Sequence, residues 1–331
     1  MTQSDAPARA SAALPRVLAV TATSLLFFAV PPTASSGGKD ADASKQPGTF
    51  AIVAYVPDYR VEGIDASAGP MVTDLIFFSI EPEPSGALNT GRLRTTDLKK
   101  LAGLRRRHKN RLLIAVGGWE RSRGFAAVAT HEKARSRFVR DLTRLCLENK
   151  FDGADLDWEH PANKAEEDAY ASLLVELRRA FRPKRLLLTV TLATWQNPGP
   201  KAYGAVDRVH VMAYDHQGAR HSTFAQAEAD VKAFVTRGAP RKKICLGVPF
   251  YGRGMKDRGV VMSYAEIVRK HKPSPEEDEA GGVYFNGINT IRRKARYAKE
   301  NGLGGVMIWE LGQDTADETS LLRAIKRAVP K

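Results

Sequence analysis

Apolar residues in this chain fall into short continuous runs separated by stretches where they recur every three or four positions. Thr49 to Val56, Asp74 to Ile80, Arg111 to Val116, Leu186 to Ala193, Asp207 to Ala213, Lys243 to Pro249 and Gly304 to Trp309 are runs of the first kind. With the acidic segment after Phe151 they make about eight predicted strands. Continuous rather than alternating runs mark strands buried on both faces, the parallel-sheet pattern. The helical period predicts helices over Asp97 to His108, Lys133 to Asn149, Ala165 to Phe181, Thr223 to Thr236, Ile288 to Asn301 and Ala316 to Ala328. Strands alternating with helices predict an α/β chain folded as a (β/α)8 TIM barrel over residues 49–331, with an open doubly wound sheet as the runner-up. The dinucleotide fingerprint is absent, because the Gly302-Leu303-Gly304-Gly305 run precedes a strand instead of opening a helix.

One strand differs from the rest. Phe151 to Pro161 reads FDGADLDWEHP, with Asp155, Asp157 and Glu159 at every second position. In a strand they share one face at steps of about 7 Å, while Ala154, Leu156 and Trp158 share the other. A solvated polar edge is the plain alternative, but Asp is depleted in strands and like charges on one face repel. Facing a cavity, the three carboxylates cannot all ionise together, so at least one holds a proton at a raised pKa. Catalytic sites use that arrangement.

In a barrel the active site lies at the strand C-termini. Polar and aromatic residues collect there: Trp119 after the third strand, Glu159 after the fourth, Thr194 to Asn197 after the fifth, Tyr214-Asp215 after the sixth, Tyr251 to Arg253 after the seventh and Trp309-Glu310 after the eighth.

The run DGADLDWE resembles the DGxDxDxE signature of glycoside hydrolase family eighteen, the chitinase and endo-β-N-acetylglucosaminidase family, and the similarity extends over about Phe50 to Ala328. The resemblance implies a retaining hydrolase of N-acetylglucosamine polymers in which the substrate's own N-acetyl group is the nucleophile. It implies Glu159 as general acid and base, Asp157 as the residue that orients the acetamido group, and Asp155 beneath it sharing its proton. Tyr214 and Asp215, with Met212, match the family's MxYD motif; Tyr55 matches a strand-one tyrosine that bonds the inner aspartate, and Trp309 the tryptophan flooring the reacting sugar's subsite. Gly118 and Trp119 close the third strand and complete the candidate substrate-binding set. Where the family carries SxGG, this chain reads Ala115-Val116-Gly117-Gly118, so a supporting hydroxyl is missing and Tyr55 is expected to carry more of its task. His160 stands where a tyrosine usually follows the acid. Only about 30 residues separate Tyr251 from Gly281, which predicts a much reduced insertion between strand seven and helix seven and an open cleft. Chitin or chitooligosaccharide is the first expected substrate; a peptidoglycan or N-glycan-core polymer, and a non-catalytic chitin-binding lectin, are the alternatives.

Composition adds little to the fold but something to location. Met1 to Arg16 is polar and basic, Val17 to Val30 is apolar but too short for a membrane span, and small residues follow Pro31-Pro32. Residues 1–35 are therefore expected to be a secretory signal and 36–48 a Gly/Ser-rich linker, giving a secreted, periplasmic or cell-surface protein. Cys146 falls on a helical core stripe and Cys245 inside a strand, so two buried free thiols are expected rather than a disulfide. The net charge of +14 raises nucleic acid as a partner, yet no zinc-finger spacing or aromatic-interleaved RNA motif accompanies it. The densest run, Leu104 to Arg111, reads as a solvated helix C-terminus. No HxxxH pairing among the seven histidines supports a metal, no cofactor is implied, and a monomer without stable membrane insertion is expected.

Overall fold

The computed structural model describes residues 50–330; the expected signal segment and the whole of the expected linker lie outside the described residues. Eight parallel strands close on themselves. They are β1 (Ala51–Pro57), β2 (Asp74–Pro82), β3 (Arg111–Gly117), β4 (Gly153–Asp157), β5 (Leu187–Ala193), β6 (Arg208–Met212), β7 (Ile244–Pro249) and β8 (Gly305–Trp309). Each pairs with the next, and β1 pairs with both β2 and β8, so the predicted barrel forms and the open sheet does not.

Helices α1 (Thr95–His108), α2 (Phe125–Thr130), α3 (Glu132–Glu148), α4 (Lys164–Phe181), α5 (Gly199–Ala205), α6 (Phe224–Thr236), α7 (Tyr264–His271), α8 (Ile288–Glu300) and α9 (Leu321–Ala328) follow in chain order. The outward faces of the strands meet them in one continuous apolar layer that includes Phe77, Leu156, Val190 and Phe234. Just past the end of β4, Trp158 stacks on Phe125 of α2 at 5.6 Å and meets Tyr170 of α4 edge-on at 5.3 Å. The apolar face expected on that strand is thus the one that binds it to its covering helices.

Four helices depart from the expectation: α2, α5 and α7 lie outside the predicted spans, and α9 starts late. The segment GPKAYGA forms α5 although two glycines and a proline give it weak intrinsic propensity. The last helix begins at Leu321 rather than Ala316, because the Asp314 carboxylate takes the Leu321 and Leu322 N–H groups, each at 2.9 Å, and so fixes a turn ahead of it. Between β7 and α8 the short insertion folds into a four-stranded antiparallel sheet (Tyr251–Gly254, Val261–Ser263, Glu279–Ala280 and Val283–Tyr284) with α7, which Ser263 and Glu266 cap reciprocally. Cys146 and Cys245 are buried and free.

Candidate active site

A cleft of about 990 Å³ opens at the C-terminal ends of the barrel strands. Of the candidate residues, Tyr55, Trp119, Asp157, Glu159, Met212, Tyr214, Asp215 and Trp309 line it. Asp155 lies one step down the strand, fully buried beneath. Gly118 does not line the cleft; it acts through its backbone, donating to the Asp157 carbonyl at 2.7 Å, and a Cβ there would meet the Phe78 ring at 2.1 Å.

Strand alternation sends Asp155 and Asp157 inward from β4, and Glu159 follows just past the strand's end. Asp155 sits opposite Ala115 on one side and Thr189 on the other. The hydroxyl absent at Ala115 is replaced from elsewhere: the Tyr55 hydroxyl donates to Asp155 Oδ2 at 2.7 Å, Thr191 to the same oxygen at 2.9 Å, and Thr189 to Oδ1 at 2.5 Å. His210 Nδ1 lies 3.2 Å from Oδ1. Tyr55 therefore takes the part expected of it, but it shares that part with two threonines and a histidine. Burial alone would raise the Asp155 pKa, but these partners, His210 foremost, hold it below the usual carboxylate value. Burial would likewise depress His210, but its bond to Asp155 lifts it to about 9. Asp155 and His210 thus form an ion pair in the barrel interior.

Asp157 is treated differently. Its Oδ1 is buried and has no hydrogen-bond partner. Burial first, then the charges of Glu159 and Asp155, push its pKa well above the ordinary value. The proton therefore sits on Asp157, facing an inner aspartate already saturated by other donors. Glu159 is raised to about 7, by burial and then by the charge of Asp215, with the Trp119 amide pulling the other way. A carboxylic acid still protonated near neutrality, opening onto a cleft, can donate a proton to a bound leaving group.

Behind this row, Ser122 ties the strand end in place. Its Oγ accepts the Glu159 N–H at 3.1 Å and lies within 3.1 Å of the Gly118 and Asp157 carbonyl oxygens. Asp215 is clamped by the Arg253 guanidinium, through Nη2–Oδ2 at 2.7 Å and a second, shorter contact from Nε. Although burial opposes it, Arg253 and His221 keep Asp215 ionised well below the normal range. The loop carrying Asp215 ends at Ser222, whose carbonyl takes bonds from Asn286 Nδ2 at 2.7 Å and from buried Lys294 at 2.9 Å. Trp309 meets Phe78 at 4.6 Å and Tyr55 at 5.6 Å and forms the floor, while Tyr59, Trp119 and Trp195 stand exposed on the cleft walls. Among the described residues, no cluster of His, Cys, Asp and Glu is arranged to hold a metal ion.

A family model of the glycosyl hydrolases family 18 matches residues 51–314. The chain belongs to glycosyl hydrolases family 18. It is 28% identical over 295 residues to probable chitinase 10 of Drosophila melanogaster, covering 66% of this chain but only 13% of that protein. It is 25% identical to probable chitinase 2 of the same organism, over 81% of this chain and 69% of the relative. Among solved structures, the family 18 chitinase ChiB from the chitin utilization locus of Flavobacterium johnsoniae superposes with a TM-score of 0.75 at 27% identity, covering 85% of this chain and 94% of that one.

Within this family 18 site, His160 is the residue whose surroundings suggest most. Its Nε2 lies 3.5 Å from Glu159 Oε2, its ring meets Trp195 at 4.9 Å, and its Nδ1 is buried without a partner. A charged ring would strand a second buried N–H, and burial accordingly lowers its pKa, leaving a neutral donor beside the acid. That donor favours the Glu159 carboxylate. Removing it in His160→Phe is expected to raise the alkaline limb of kcat/KM by about 0.3–0.5 pH unit, the low end of what one neutral hydrogen bond contributes. A limb that stays put in the pH–rate profile would reduce His160 to packing against Trp195.

Proposed function

We propose that this protein is a secreted, retaining glycosidase that cleaves β-1,4-linked N-acetylglucosamine polymers, chitin and its oligosaccharides first, by substrate-assisted catalysis. The observation that carries the proposal is the graded row at the cleft floor: Asp155 ionised and saturated, Asp157 protonated with a free Oδ1, Glu159 poised near neutrality. In this reading Glu159 passes its proton to the glycosidic oxygen as the bond to the anomeric carbon breaks. The acetamido carbonyl oxygen of the same sugar closes on that carbon, giving an oxazolinium ion. The Asp157 carboxyl, which lines the cleft, accepts the acetamido N–H, and this fixes the carbonyl for attack. Tyr214 and Asp215 hold the group from the far side, and Trp309 supports the apolar face of the ring. Glu159, now a carboxylate, takes a proton from water as the water opens the intermediate, and configuration is retained. The naming of the Drosophila relatives and of the Flavobacterium structure as chitinases supports the substrate class, and the N-terminal apolar run supports export.

The test is a product profile from chitooligosaccharides and from peptidoglycan, with the anomer read before mutarotation. Release of β-anomeric chitooligosaccharide is expected. Products from peptidoglycan alone would transfer the activity to that polymer, and an α-anomeric first product would rule out the substrate-assisted route.

A further inference from the structure

We infer that the end of the barrel opposite the cleft is a docking surface for an acidic polysaccharide, one bearing phosphate or carboxylate groups along its chain. The inference is independent of the activity proposed above, since none of its residues lines the cleft.

Most of the cations that line the cleft are paired, Arg123 being the exception. There Arg253 is spent on Asp215, Arg121 on Asp58, and Arg92 on Glu81 and Asp58. Among the described residues, a group of nine unpaired cations lies where helices hand over to strands. Arg106, Arg107 and Lys109 precede β3, Lys150 precedes β4, Arg182, Lys184 and Arg185 precede β5, and Arg241 and Lys242 precede β7. All nine are exposed, and none of their side chains makes an ion pair or hydrogen bond among the described residues. In a barrel every helix-to-strand connection lies at the N-terminal end of the strands, so these residues share one face. The acids of the same connections are already engaged: Asp152 with Arg105 at 2.8 Å and Asp207 with Arg178 at 2.6 Å.

Cations at helix C-termini are expected from the helix dipole, but that effect fades beyond the last turn. It accounts for Arg106 and Arg107, inside α1. Lys109, Lys150, Arg185, Arg241 and Lys242 stand past the ends of the α-helices, where an unpaired single-sign field only raises the self-repulsion of the folded state. A partner that neutralises it makes sense of the pattern.

The partner's chemistry follows from what the face lacks. Nucleic acid held in single strands needs aromatic platforms, and the exposed aromatics among the described residues, Tyr59, Trp119 and Trp195, are all at the cleft. Insertion into a bilayer needs an apolar face, and among the described residues the only large exposed aliphatic near this end is Leu147. What remains is recognition of regularly spaced charge. Because the cleft opens at the other end of the strands, a molecule held this way keeps its site free to work on a second polymer.

The experiment compares the full chain with a basal variant (Arg106→Gln, Arg107→Gln, Arg182→Gln, Lys184→Gln) and a control that loses the same charge elsewhere (Lys232→Gln, Arg269→Gln, Lys270→Gln, Arg296→Gln). Binding is measured to phosphorylated dextran, polygalacturonate, duplex DNA and phosphatidylglycerol vesicles across a salt series. The expected result is salt-dependent binding to at least one of the two acidic polysaccharides. The basal variant should lose about tenfold in affinity and about 3 units of log–log salt slope, at roughly 0.7–0.9 per released counterion. The control should lose much less, and both variants should hydrolyse soluble chitooligosaccharide as the parent does. Equal losses in the two variants, no loss in the basal one, or tighter binding to DNA or vesicles than to both polysaccharides would overturn the inference.

Discussion

Glu159→Gln is expected to lower kcat on a chitooligosaccharide by about 10²–10⁴-fold, the range that a positioned general acid and base supplies. Glutamine keeps the shape of the side chain and can still donate a hydrogen bond, but it has no proton to transfer in either direction. The Kd for the same oligosaccharide should stay within about twofold, because the walls and floor of the cleft are untouched. The parent's pH profile checks the same assignment. Glu159 is held at about 7 by burial and by the Asp215 charge, so the acid form needed for the first step is present below that pH and is lost as pH rises through it. The alkaline limb of the parent should therefore fall near neutrality, and the residual activity of Glu159→Gln should show no such limb. A variant keeping more than about a tenth of the parent kcat would place the acid on another residue, while loss of both turnover and binding would point to a misfolded site.

Much of this site was legible because the chemistry follows strand periodicity. The every-second-residue spacing of Asp155, Asp157 and Glu159 assigns them to one face, and a barrel gives that face only one place to point. Tyr214 and Trp309 were found by the logic of strand ends, and Tyr55 by the family resemblance. What the sequence hid depends on register between strands distant in the chain. His210 is a core residue, and its pairing with Asp155 exists only because β5 sets Thr191 beside His210 on one side and Asp157 on the other. A signal was available in Thr189 and Thr191, two hydroxyls at strand period facing the same interior as the aspartates. Arg253 was placed at the end of a strand without its role, since its grip on Asp215 requires the short antiparallel sheet to fold back over the sixth strand's loop. The charge of +14 raised nucleic acid as a partner, yet among the described residues most cations of the cleft are ion-paired and nine unpaired ones gather at the far end of the barrel. The pairing of charges, unlike their number, is a property of the fold.

His210→Ala is expected to have the largest effect on stability. It leaves Asp155 buried without its counter-charge, a change that costs about 3–5 kcal/mol where one partner of a buried pair is removed. Tyr55, Thr189 and Thr191 still donate to Asp155, which places the loss nearer the lower figure. The parent's own dependence on pH gives an independent readout. The folded pKa of His210, about 9, lies above its ordinary value of 6.5, so its contribution to stability is fully present below about 6.5 and is lost as pH rises through 9. Asp155, held below 3.8 in the folded state, contributes fully above that value and loses its share only as pH falls through its folded pKa. Urea midpoints of the parent should therefore decline between about pH 7 and 9, and those of the variant should not. The effect on catalysis runs through the charge of Asp155: once its counter-ion is gone it takes up a proton more readily, and the field that keeps Asp157 protonated weakens. A fall in kcat with little change in KM follows. His210→Gln, which can offer Asp155 a neutral N–H, should recover part of the stability and of kcat but not the decline between pH 7 and 9, and it keeps the comparison readable if the alanine variant fails to fold. If the glutamine variant kept the parent's alkaline decline, or the alanine variant cost less than about 1 kcal/mol, the buried ion pair would not be what holds the inner aspartate charged.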